Sequence, residues 1–114
     1  MIKNSIVLVP FPFDDFKSSK VRPALCLTNI VGIYNHVIIA FISSKLTVET
    51  ELSDIILKKK DLHFNQTGLT VDSVIKFHKL VTLPTNSILR KLGSIDITTS
   101  KEIQKKLQTL FELN

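Results

Sequence analysis

Three short stretches of this chain hold residue types that could do chemistry: Val-Arg-Pro at Arg22, Ile-Ser-Ser-Lys at Ser43, and Lys-Phe-His at Lys76 and His78. Pro23 fixes its own φ and biases Arg22 towards extended backbone, so the guanidinium is held at a defined place. A guanidinium keeps its proton, and its planar fork suits a phosphate. Ser43 and Ser44 end an apolar run and precede Lys45; a hydroxyl at a strand end can donate to a phosphate oxygen. His78 can act as acid or base near neutral pH, and strand alternation puts it on the same face as Lys76. These types together fit phosphoryl chemistry on a polyanion. Each also has a plain structural reading: Arg22 paired with Asp14 or Asp15, the serines as strand terminators, His78 as a solvated strand residue.

The elements that must position them are mostly strands. Residues 5–9, 24–29 and 36–42 are β-branched runs bounded by Pro, Asn, Gly or Ser. Gly32, with Asn29 and Asn35 near it, predicts a hairpin joining the second run to the third. A fourth strand is expected over 52–57, ending at Lys58, Lys59 and Lys60, a solvated edge that could also touch a nucleic-acid backbone. Residues 70–83 alternate, with Ser73, Ile75, Phe77, Lys79, Val81 and Leu83 on one side, core-facing apart from its polar members. After Pro84 the period changes, and residues 87–93 read as a capped short helix stopping at Gly93. Thr99 and Glu102 form a capping box for a C-terminal helix whose inward stripe is Ile103, Leu107, Leu110 and Phe111. The pattern predicts one domain over residues 1–114, a small, mostly antiparallel barrel with a terminal helix.

Composition narrows the chemistry. Lys and Arg outnumber Asp and Glu by 15 to 10, a surplus that favours a polyanionic partner. The single cysteine, Cys26, excludes an internal disulfide and reads as a buried thiol within an apolar run. His36, His63 and His78 are too scattered for a metal-ligand motif, and three glycines make no phosphate loop. No cofactor is expected. With neither a signal peptide nor a membrane-length apolar run, the cytoplasm is the expected compartment.

The stretches "IVLVPFPFDDFKSSKVRPALCL", "VIIAFISSK" and "DSVIKFHKLVTL…ILRKLGSI", in that order, resemble the PemK/MazF toxins of bacterial type II toxin–antitoxin systems. The resemblance implies an SH3-like barrel, a homodimer, and metal-independent, sequence-specific cleavage of single-stranded RNA that inhibits translation and growth. It also implies a cognate antitoxin whose tail occupies the RNA groove, and operator DNA as a partner of the toxin–antitoxin complex. Carried over by position, the catalytic arginine falls on Arg22, the catalytic hydroxyl on Ser43, and a third, often acidic position on His78. Lys17, Ser18, Ser19, Lys20, Ser44, Lys45 and Lys76 would contact RNA. The chain departs from the family in three places: Asn4-Ser5 replaces Gly-Asp, Ser43 replaces threonine, and His78 replaces an acid. A gyrase-binding toxin of CcdB type, with the same barrel, and a non-cleaving member that binds only antitoxin or DNA are the alternatives.

Overall fold

The structure, a computed structural model, describes residues 1–10, 20–46 and 53–113. Six strands form one antiparallel sheet: β1 (Ser5–Pro10), β2 (Val21–Cys26), β3 (His36–Ser43), β4 (Asp54–Leu57), β5 (Ser73–Pro84) and β6 (Arg90–Ser94). Their order across the sheet is β4-β5-β3-β2-β1-β6. A C-terminal helix, α1 (Ile97–Leu110), follows β6. Among the described residues no helix is long and apolar enough to cross a membrane.

The sheet curls because its inner face and its ends share one core. Ile6, Leu25, Ala40, Ile42, Ile75 and Phe77 from the middle strands meet Ile55 and Leu57 of β4, with Leu92 of β6 and Ile103 of α1 packed against them. The opposite parity of β1, β2 and β3 fills a second cluster: Val7, Val9, Ala24, Cys26, Val37, Ile39 and Phe41. These three strands are buried on both faces, which is why they read as continuous apolar runs. Burial pushes the Cys26 thiol up to about 11, so it stays protonated and inert at neutral pH, as a structural cysteine should.

The hairpin is where the glycine and asparagines place it. Val31 and His36 bridge, and Gly32 and Asn35 take positive φ between them. Asn4 is left-handed as well, at φ 72. Asparagine tolerates that conformation better than most side chains, because its short polar group can bond the local backbone. Its Nδ2 donates to Ser100 Oγ at 3.2 Å, and its carbonyl accepts from Ile95, tying the chain start to α1.

Three expectations need correction. The short helix over 87–93 is instead a 3-10 turn, Thr85–Ser87, followed by β6. Ile88, Leu92 and Ile95 suit a helical stripe, but β6 hydrogen-bonds along β1, and that pairing decides the conformation. The alternation of β5 breaks: Ala40 pairs with Leu80 while Phe41 pairs with Lys76, so three extra residues bulge between them. Phe77 and Leu80 therefore pack on the inner core, whereas Val81 and Leu83 pack on the outer cluster. Finally, the cap of α1 is Asp96, whose carboxylate accepts from the Thr98 and Thr99 amides and from Thr99 Oγ1. Ile103 and Leu107 face the core as expected, but Leu110 and Phe111 are exposed.

Partial burial raises the Asp96 pKa, yet the hydrogen bonds from Thr99 and the charge of His63 outweigh it, leaving the carboxyl below its ordinary 3.8. A depressed carboxyl stabilises the fold fully above its unfolded pKa and loses that contribution as pH falls through the folded one. Asp96→Ala is thus expected to cost about 1 kcal/mol at pH 7. Urea denaturation at falling pH should show the gap to the parent closing below roughly pH 4.

Candidate nucleic-acid groove

Arg22 and Ser43 lie on neighbouring strands that part company. The β2–β3 ladder runs through Leu25↔Ala40 and stops at Ala24↔Phe41. Continued by two residues it would set Arg22 opposite Ser43. Beyond the last rung β2 keeps β1 as its partner, with Leu8 against Pro23 and Val9 against Arg22. Pro23, which has no N–H to give, sits on this singly partnered stretch.

The gap between the diverging strands is a cleft of about 780 Å³. Phe41, Ile42 and Ser43 line one side, Val21, Arg22 and Pro23 another, and residues 68–71 with Leu92 complete the walls. Six cations line it: Lys20, Arg22, Lys45, Lys76, Lys79 and Arg90, with no carboxylate among the described lining residues. Walls of one sign concentrate the field and raise the local concentration of an anion.

Ser43 Oγ accepts from the Lys45 amide at 3.1 Å. That bond uses a lone pair and no proton, so the hydroxyl keeps its hydrogen for donation. Ser44 and Lys45 continue the same lip.

Lys76 is opposite both Phe41 on β3 and Asp54 on β4. Its Nζ lies 3.1 Å from Asp54 Oδ2, and the Asp54 side chain is 1% exposed against 17% for Lys76. A buried carboxylate behind the wall thus holds a groove ammonium from the rear. The pair is cross-strand and close, which fixes the lysine's direction. Asp54 was not among the residues singled out from sequence. Its only sequence signal was a charge inside an otherwise apolar strand.

His78 does not line the cleft. Its Nδ1 is 3.1 Å from Ser53 Oγ and 4.0 Å from Asp54 Oδ1. The β5 bulge explains this placement. The Phe77 amide bonds the Ser53 carbonyl, Phe77 is swallowed by the core, and Lys79 joins Lys76 at the groove. Simple alternation sets Lys79 on the face opposite Lys76, and the bulge is what brings the two together. Arg90 was missed because its segment read as helix.

Of the expected RNA contacts, Lys20, Ser44, Lys45 and Lys76 line the groove. Lys17, Ser18 and Ser19 lie outside the described residues, as do Asp14 and Asp15. Among the described residues no three of His, Cys, Asp or Glu gather as metal ligands would.

The family model described as "PemK-like, MazF-like toxin of type II toxin-antitoxin system" matches residues 3–111. Toxin MazF-mt6 of Mycobacterium tuberculosis superposes with a TM-score of 0.73 at 20% identity, over 96% of this chain and 98% of that one. MazF of Deinococcus radiodurans gives 0.72 at 18% identity, over 98% and 96%. A mycobacterial endoribonuclease in complex with its cognate antitoxin gives 0.70 at 16% identity, over 100% and 97%. No curated protein matches significantly in sequence. At these identities the structural likeness establishes the fold.

Proposed function

Because the chain belongs to the PemK-like, MazF-like toxins of type II toxin–antitoxin systems, we propose that it is an endoribonuclease that takes single-stranded RNA into the cationic groove and cleaves it without a metal. One observation carries this reading: Arg22 and Ser43 flank the point where β2 and β3 separate, and five further cations line the same cleft.

The nucleophile is the substrate's own 2′-hydroxyl. It attacks the adjacent phosphorus and gives its proton to solvent, the 5′-oxygen leaves and takes a proton back from solvent, and a 2′,3′-cyclic phosphate remains. Charge builds on the non-bridging oxygens as the phosphorus becomes five-coordinate. Arg22 supplies a fork of donors to them, and Ser43 adds its hydroxyl proton. Lys76, aimed by Asp54, and Lys20, Lys45 and Lys79 hold flanking phosphates. The proton-transfer role expected of His78 needs its ring at the groove. In this chain Nδ1 is engaged with Ser53 instead, so the proposal rests on Arg22 and Ser43.

The partners that follow are a cognate antitoxin, a second copy of the chain, and operator DNA when toxin and antitoxin are joined. The dependence on a 2′-hydroxyl also separates RNA from DNA as substrate. The test uses the purified protein and a long single-stranded RNA in excess chelator. Discrete cuts leaving 5′-hydroxyl and cyclic-phosphate ends are expected, each blocked by a 2′-deoxy nucleotide at the cut. RNA left intact at high protein concentration would overturn the reading.

A further inference from the structure

The groove does not end at its walls. A second, shallower depression of about 840 Å³ is lined by Lys58, Lys59, Lys60, Leu46 and Asp72, together with Ser44, Thr70 and Val71. Those last three residues also line the cleft of Arg22 and Ser43. The two depressions therefore form one continuous trough, joined where the end of β3 faces the segment leading into β5.

The turn that carries the lysines is fixed by its backbone. Asp61 Oδ2 accepts from the Lys58 amide at 2.9 Å, and the Asp61 amide returns a bond to the Lys58 carbonyl at 2.8 Å. Asp72 Oδ1 accepts from the Lys59 amide at 2.6 Å. The two nearby carboxylates thus orient the main chain. The ion contacts of Asp54, with Lys76 and with His78, do not involve these lysines. Three exposed ammonium groups stand on a rigid turn, at the open end of a trough already lined with cations. Leu46 and Val71, both exposed, give the junction an apolar floor on which a base can lie.

We propose that Lys58, Lys59 and Lys60 form a flanking subsite for single-stranded RNA. It grips the backbone of the strand as it leaves the cleavage groove and reads phosphates rather than bases. This rests on the groove being the RNA site. It adds that the footprint runs several nucleotides past the cut and that affinity depends on substrate length.

The probe is a fully 2′-O-methylated RNA, which cannot be cleaved, in two lengths. One is a short oligonucleotide confined to the cut site; the other extends well beyond it on both sides. Binding to the parent and to the K58A/K59A/K60A variant is followed by fluorescence anisotropy across a salt series. For the long oligonucleotide the variant is expected to bind on the order of tenfold more weakly, with the slope of log K against log salt reduced by about 2. For the short one affinity and slope should match the parent. Equal affinity and slope on the long oligonucleotide would overturn the subsite, as would an equal loss on both lengths, which marks a general field effect. Failure of the parent to bind either length would overturn the RNA reading itself. Matching melting curves establish that the variant is folded.

Discussion

Arg22→Ala is expected to lower chelator-resistant RNA cleavage about 10³-fold, mostly in kcat. The expectation follows from what remains. Lys20, Lys45, Lys76, Lys79 and Arg90 still line the cleft, so the ground-state phosphate keeps most of its attraction and KM moves little. What is lost is a donor set at one lip, facing the position of Ser43, where charge develops as the phosphorus becomes five-coordinate. Arg22→Lys sharpens the test. It keeps the charge but not the planar fork, and should recover no more than a small part of the rate. Single-turnover cleavage of an RNA with a mapped site measures both. Alanine activity within tenfold of the parent would show that Arg22 serves binding alone, and a lysine variant with full activity would show that charge suffices.

Gly93→Ala is expected to destabilise the fold by about 3 kcal/mol, at the upper end of overpacking costs. Its backbone is not in the left-handed region; the constraint is space. A Cβ there would collide with the Gln66 carbonyl oxygen and lie 2.5 Å from the Thr67 carbonyl carbon. Those are main-chain atoms of the 3-10 turn Phe64–Thr67, so no rotamer change relieves the clash. Gly68, at the end of that turn, presses on the Leu92 carbonyl in the same way. Two glycines thus let the turn and β6 touch backbone to backbone, bringing residues 68–71 alongside Arg90 and Leu92 at the groove. Gly32→Ala is the control: φ is +76 but nothing lies within 4 Å, so only the left-handed cost of about 1 kcal/mol applies. Thermal melts should separate the two, with Gly93→Ala lowering Tm by roughly 12 °C. A Gly93→Ala loss no larger than that of Gly32→Ala would show that the contact yields easily.

The strands that bury both faces were the most legible part of the sequence, because the middles of β1, β2 and β3 are apolar on both parities. The hairpin was equally plain, since Gly32 and Asn35 mark the left-handed turns that side chains seldom adopt. The lips of the cleft were legible too: a proline fixes Arg22, and a change from apolar to hydroxyl marks the end of β3. What stayed hidden depends on partners distant in the chain. β6 has a helix-compatible pattern and is a strand because β1 offers an edge. The β5 bulge is set by pairing with β3 and by the Ser53 carbonyl, so no local period announces that Lys79 turns to the groove and His78 away from it. Asp54 is only a charge inside the expected strand 52–57 until its lysine partner, 22 residues later, is placed beside it. The Asn4-Ser5 pair also changes meaning: the left-handed φ of Asn4 makes it a turn residue beside α1.

The six cations of the cleft fold against their own repulsion, with Asp54 shielding one of them from behind. Whatever polyanion fills the cleft relieves that repulsion, and by mass action it favours the folded over the unfolded chain. Occupancy and thermal resistance are therefore linked, and the empty protein is the less durable form. Removing Lys79 or Arg90 would relieve part of that repulsion, so grip and durability in this fold pull in opposite directions.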